Sequence, residues 1–311
     1  RYGTDSDAYA LLGSANTDWQ KEIFQLARTL EGNVSVTGKV GKTNDFYMPY
    51  RLSLGYHNQD GTLKTSNLGR ETLAMSLTPT LLDEHLTVNL NAKGMNMDNR
   101  FANTGAIGAA VKYDPTKPVY DNNGLNGYSW WNYGKGTFTV DNCNTMAGQN
   151  PMALLNDFVD YANAKRFVGN AQFDYKLHGF EDLRFNLNLG IDYSRSNETI
   201  DVAPDTEQSM HSTAQQANNH ASGYHQNKTQ TKNDQTLEFY TDYSHDFDGH
   251  FIDLMAGYSW SHYYYENFSE TFKADGTSKS DASYYLSNPY TFKTEYFLVS
   301  FFGRVNYSYS D

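Results

Sequence analysis

The 311-residue sequence predicts an all-β protein, an antiparallel transmembrane β-barrel, and three observations point there. Apolar and polar side chains alternate along many segments. Several of those segments reach 12 residues or more, well past the usual strand of about five or six. Their connections alternate between short and long, so all short turns fall at one end of the strands and all long loops at the other. A soluble sandwich shows the same alternation, because a period of two sends successive side chains to opposite faces of any sheet. Strand length and loop asymmetry favour the barrel, with an outward apolar band and a polar interior.

The clearest strand is "LRFNLNLGIDYS". It puts Leu183, Phe185, Leu187, Leu189, Ile191 and Tyr193 on one face and Arg184, Asn186, Asn188, Gly190 and Asp192 on the other. "YRLSLGYHN" sets Leu52, Leu54 and Tyr56 against Arg51 and Ser53, and "HLTVNLNAK" sets Leu86, Val88 and Leu90 against Asn89 and Asn91. "GNAQFDYKL" places Asn170, Gln172 and Asp174 on its polar side, and "FIDLMAGYSW" repeats the pattern. About nine strands are expected, near 31–40, 46–58, 67–79, 85–98, 166–178, 183–196, 227–246, 251–267 and 293–310. Short turns are expected at 40–45, 81–85, 178–182 and 246–250, and longer polar segments at 59–66, 99–165, 197–226 and 268–292. Tyr47, Tyr50, Tyr56, Tyr258, Trp260, Tyr263, Tyr307 and Tyr309 lie toward strand ends, where aromatic rings mark a membrane interface.

Composition narrows the function classes. Only 39% of residues are hydrophobic, yet 15% are aromatic, with 25 tyrosines. Such rings suit surfaces that are apolar at one end and wet at the other, as at a membrane interface or a sugar site. A net charge of −12 without any basic run argues against nucleic acid as a partner. The single cysteine, Cys143, excludes an internal disulfide framework. No stretch approaches the roughly 20 apolar residues of a membrane-spanning helix. The first residues lack the basic start and apolar core of a signal peptide, so the sequence is expected to begin as a mature chain or inside a longer one.

The segment 99–165, read as a long loop, holds the candidate recognition residues. "NGLNGYSWWNYGKG" gathers Tyr128, Trp130, Trp131 and Tyr133 among glycines and asparagines. Such rings stack on sugar faces or meet a partner protein, and they equally serve to pack a long loop against itself. "ANTGAIGAAVKYD" is expected to form a short helix with small residues for close packing. "DNNG" at 121–124 starts like a calcium loop but lacks its twelfth-position Glu, and is expected to be a turn. His211, His220 and His225 fall in a polar loop without metal-ligand spacing, and no metal or cofactor is expected. No GxSxG, HExxH or phosphate loop occurs, so no catalytic residues and no enzyme activity are expected.

Longer segments carry a resemblance. "NTDWQKEIFQLA" (16–27), "YRLSLGYHNQDGTLKTSNLGRETLAMSLTPTLLDEHLTVNLNAKG" (50–94), "RFANTGAIGAAVKYDPTKPVYD" (100–121), "NPMALL" (150–155) and "KRFVGNAQFDYKLHGFEDLRFNLNLGIDYS" (165–194) are similar to SusC/RagA-type TonB-dependent outer-membrane transporters. "FIDLMAGYSWSHYY" (251–264) and "LVSFFGRVNYSYSD" (298–311) continue the match in order. The resemblance implies a barrel of about 22 strands filled by an N-terminal plug. It implies a SusD-like surface lipoprotein lid, outer-membrane lipid around the barrel, and import of oligosaccharides or peptides driven by the TonB–ExbB–ExbD complex. It implies localisation in the outer membrane of a Gram-negative bacterium. The chain is then expected to be a partial TonB-dependent receptor barrel domain over 1–311, with plug, TonB box and closing strands outside it, and 99–165 as an extracellular insertion. Arg51, Asn89, Asn91, Asn170, Gln172, Asp174, Arg184, Asn186, Asn188 and Asp192 would form its lumen-facing wall. The alternative from alternation alone is a soluble all-β carbohydrate-binding module.

Overall fold

The computed structural model describes residues 12–42, 46–132, 144, 146–210 and 222–309. Nine long strands dominate it: β1 (Thr29–Lys42), β2 (Phe46–Asp60), β3 (Asn67–Leu77), β5 (Leu86–Phe101), β7 (Phe158–Lys176), β8 (Leu183–Val202), β9 (Tyr224–Phe247), β10 (His250–Phe272) and β11 (Tyr285–Tyr309). Two short pieces, β4 (Thr80–Leu81) and β6 (Tyr120–Leu125), and helices α1 (Trp19–Ile23), α2 (Gly105–Lys112), α3 (Pro151–Asn156) and α4 (Glu207–Met210) fill the connections. Each long strand pairs antiparallel with the next long one, in the order β1-β2-β3-β5-β7-β8-β9-β10-β11. This is barrel sheet. The shortest long strand has 11 residues, enough to cross a bilayer when tilted by about 45°.

Register makes the two faces continuous. One row runs Tyr50–Leu77–Leu90–Ala171–Leu189–Leu237–Trp260–Val299 across eight strands. The row one residue along runs Arg51–Ser76–Asn91–Asn170–Gly190–Thr236–Ser261–Leu298. A slip of one residue in any pairing would exchange the faces, so the alternation itself fixes the register. Tyr263, read as an interfacial ring, lies on the polar face, opposite Asp234 and stacked on Tyr296 at 4.8 Å.

The strands run further at their long-loop ends than alternation predicts. β8 continues to Val202 rather than 196, β10 to Phe272 rather than 267, and β7 begins at Phe158 rather than 166. Past Tyr193 the apolar face of β8 turns to Arg195, Asn197, Thr199 and Asp201. With Ser194, Ser196 and Glu198 on the other face, both faces are polar until the buried Ile200 and Val202, and period two vanishes from the sequence while the ladder hydrogen bonds continue. The intervening loops shrink accordingly to 102–157, 203–223 and 273–284.

The short turns show why they are short. Asp248 and Gly249 both take positive φ, 53° and 87°, as the two-residue link between β9 and β10 requires. At the other short connection Leu82, Asp83 and Glu84 adopt φ of 57°, 52° and 66° in succession. His85 holds them: its Nδ1 lies 3.0 Å from the carbonyls of Leu82 and Asp83, and its ring stacks on His178 at 3.7 Å.

Candidate functional site

Two regions carry the chemistry: the polar face of the sheet, and a cap that the loops build over the long-loop ends. All ten residues expected on the polar face lie on it. Asn91 opposes Asn170, Asn89 opposes Gln172, Asp174 opposes Asn186, and Gln172 opposes Asn188. Arg184 stands opposite Asp242 and Asp192 opposite Asp234. A groove of about 500 Å³ opens on this face, lined by Arg51, Ser53, Asn91, Lys93, Arg166 and Asn170.

Charges on this face are organised in two clusters. Arg166 grips Asp192 with two parallel bonds, Nε to Oδ1 at 2.8 Å and Nη2 to Oδ2 at 2.7 Å. Lys232 sits 2.7 Å from Asp234 and 3.8 Å from Asp192, which relieves the repulsion of two carboxylates placed directly opposite. Toward the short-turn end, Arg304 lies 3.1 Å from Asp253 and 3.6 Å from Asp242. Arg166, Lys93, Lys232, Asp234 and Arg304 were not among the predicted wall residues. Extending the parity of Asn170, Asn91 and Asp192 along their own strands, and across to β9 and β11, would have found them.

The cap folds around its own apolar core. Trp19 and Ile23 of α1, Ala106 and Ala110 of α2, Tyr113, Tyr128 and the Met152–Leu155 turn of α3 pack together. Local signals start each piece. Asp18 accepts from the Lys21 N–H at the head of α1. Asn150 accepts from the N–H groups of Met152 and Ala153, and Pro151 occupies the first turn of α3, where no N–H is needed. The small side chains of α2, the helix expected from "ANTGAIGAAVKYD", let α3 approach closely.

"DNNG" is strand, not turn. The chain reverses at Asn126 (φ 49°) and Gly127 (φ 81°), and the Asp121 N–H donates to the Gly127 carbonyl at 2.9 Å. An Asn-Gly pair prefers this positive-φ reversal, so it takes the turn that 121–124 was expected to make. His225 lies in β9 rather than in a loop, bonded to Asp201 and, at 3.1 Å, to Asn227. His211 and His220 fall outside the described residues. Among the described residues no group of His, Cys, Asp and Glu gathers in a metal-binding arrangement.

The aromatic cluster divides. Tyr128 and Trp130 are buried, at 9% and 6% exposure. The Tyr128 hydroxyl accepts from the Asn156 amide at 2.8 Å, and Trp130 packs with Leu125, Trp131 and Met210. Trp131 is half-buried and carries the Lys117 ammonium 4.4 Å above its ring. Tyr133 falls outside the described residues. Two of the four rings thus hold the cap together, and Trp131 keeps an accessible part.

Buried carboxyls join the cap's pieces. Glu207 of α4 is 1% exposed and accepts from the Asn150 N–H, which ties the 203–210 segment to α3. Burial drives its carboxyl well above the ordinary range, and the nearby Asp157 adds to the rise. Burial likewise lifts Asp157 to about 6, against the opposing pull of the Asn126 amide that donates to it at 2.8 Å. A carboxyl raised in the folded state stabilises most when protonated and loses that contribution as pH rises through its folded value. Cap docking is therefore expected to be tightest below about pH 4 and to loosen as pH rises through about 6. Hydrogen exchange of the Met152 and Ala153 amides, corrected for intrinsic rates, measures this. Glu207→Gln with Asp157→Asn should flatten the profile, whereas protection that grows with pH would overturn the sign.

Comparison with known proteins fits this architecture. No protein-family model matches the chain. A TonB-dependent receptor, SusC of Bacteroides thetaiotaomicron, is 36% identical over 306 residues, covering 96% of this chain and 29% of SusC. This chain is a SusC/RagA-type TonB-dependent receptor segment. A TonB-dependent receptor of Formosa agariphila is 26% identical across 99% of the chain and 30% of its own length. Among solved structures, the RagAB peptide transporter superposes with a TM-score of 0.71 at 17% identity, covering 99% of this chain and 34% of that one. The segment thus spans about 30% of the length of these curated relatives. The shared fold is the TonB-dependent transporter barrel, and the two-faced sheet described above is its wall.

Proposed function

We propose that this segment forms a sector of an outer-membrane TonB-dependent transporter that imports oligosaccharides or peptides. The single observation that carries the reading is the 36% identity to SusC along 96% of the chain. RagAB, which shares the fold, is a peptide transporter, and this keeps peptides beside oligosaccharides as cargo. In this reading the polar face, from Arg51 through Asp192, lines the lumen and meets an N-terminal plug, and the short turns face the TonB–ExbB–ExbD side. The cap stands on the outer surface as the insertion of 99–165, where a SusD-like lipoprotein lid seats. Tyr128 and Trp130 stiffen the cap from within, while Trp131 and Tyr133 are the rings offered to lid or cargo.

The test is an uptake panel of oligosaccharides and peptides in a strain lacking the intact gene, with and without complementation. Loss of one cargo class, restored by the gene, is the expected result. A full-length protein that fractionates as soluble and binds glycans without membrane would establish the carbohydrate-binding module instead.

A further inference from the structure

Lys165 on β7 and Arg195 on β8 are direct cross-strand partners. Both have the parity of the apolar face, one step beyond the Phe167–Tyr193 pair toward the long-loop ends. Tyr175, at the short-turn end of the same face of β7, is ten residues from Lys165. Ten residues span about 33 Å along a strand, or about 25 Å across a bilayer at a tilt of about 40°, which is the height of an apolar band. The two cations therefore emerge at the outer rim of that band and point away from the lumen.

Nothing among the described residues neutralises them. Both are exposed, and among the described residues neither forms an ion pair. The nearest carboxylate on their face, Asp98, is occupied by the amides of Asn163 at 2.7 Å and Asn96 at 3.3 Å. Their flanking partners in the row are Asn96 and Thr231, and Glu71 and Glu266 come only one strand further. At about 4.8 Å per strand those carboxylates stand about 10 Å from the nearer cation, close to a Debye length. Like charges set directly opposite cost stability unless an anion lies between them.

We propose that Lys165 and Arg195 bind a phosphate group of a glycolipid in the outer leaflet. The inference rests on the outer-membrane barrel reading. Two cations meet the phosphate charge, and the Asn197 amide N–H groups with the Thr231 hydroxyl suit the hydroxyls of a sugar beside it. A lipid is the source because the surface directly below, Phe167, Tyr193 and Ile191, is apolar and outward, placed to receive the acyl chains of the same molecule.

The test uses full-length transporter extracted from outer membranes in mild detergent. Binding is measured to phosphatidylcholine nanodiscs carrying bisphosphorylated lipid A, with dephosphorylated lipid A and inorganic phosphate as separate arms. Lys165→Gln with Arg195→Gln is expected to weaken binding of the phosphorylated lipid roughly ten- to thirtyfold. The charge-retaining pair Lys165→Arg with Arg195→Lys should bind within about threefold of wild type. Unchanged binding by the neutral double variant, or equal binding of the dephosphorylated lipid, overturns the proposal. Competition by inorganic phosphate at the same concentration as the lipid overturns it too, by showing a free-anion site. A full-length protein absent from the outer membrane would instead defeat the transporter reading, a result distinct from unchanged lipid binding.

Discussion

Refolded alone in detergent, a polypeptide of residues 1–311 is expected to give no compact, heat-modifiable band on an electrophoretic gel. The sheet runs from β1 to β11, and among the described residues these two strands do not pair with each other. β1 has 14 residues and β11 has 25, so each crosses a bilayer in full. About ten residues of each lie in hydrocarbon, and about half of their N–H and C=O groups point away from the only neighbour. At several kcal/mol per unsatisfied group the two edges cost on the order of tens of kcal/mol. That exceeds the roughly 5–15 kcal/mol that holds an ordinary domain together. The expected products are aggregates joined through the open edges, helped by outward side chains such as Phe301 and Val305, 81% and 75% exposed. A species that migrates faster unboiled than boiled would show that the segment closes on its own.

The second large effect concerns a single side chain. Leu189 sits in the middle of the apolar row that links Ala171 to Leu237. In the full-length protein, Leu189→Arg is expected to cost about 2–4 kcal/mol, the penalty for a cation at the bilayer midplane. Asn188→Lys, its neighbour on the other face and opposite Glu238, should change stability by about 0.5 kcal/mol or less. Denaturant titration of the inserted protein measures both. Equal costs at the two positions would mean that the two faces do not see different solvents.

That asymmetry explains how much of the fold was legible. Where lipid lies on one side and water on the other, each strand must alternate, and "LRFNLNLGIDYS" announces its strand and its faces alike. Above the lipid the constraint lapses, and Arg195 to Val202 looks like loop although it is strand. Which residues share the polar face was readable one by one, but their pairing was not. Arg166 and Asp192 are 26 positions apart, and only the β7–β8 register brings them together. The cap was least legible. Its α2 helix showed in small residues, yet Glu207 reaches Asn150 across 57 positions with no local trace. The aromatic run at 128–131 signalled importance without saying that Tyr128 and Trp130 face inward.

The stretch ahead of β1 is fastened to the cap. The Ala15 and Thr17 N–H groups donate to the carbonyls of Thr116 and Pro115 at 3.1 and 2.8 Å, and the Trp19 indole N–H donates to the Asp114 carbonyl at 3.0 Å. Most strand pairings join consecutive hairpin strands and only the β5–β7 ladder, with Leu86 opposite Tyr175, spans a comparable stretch, whereas these bonds close a circuit of about a hundred residues. Local pairs form early and distant ones late, since the entropy of closing a long loop must be met first. Assembly then has an order: hairpins add one to the next, and the clasp snaps shut only after β5 and the segment beyond it have emerged. A protease that cuts between 12 and 28 would discriminate nascent from finished molecules, since the clasp protects that stretch only at the end.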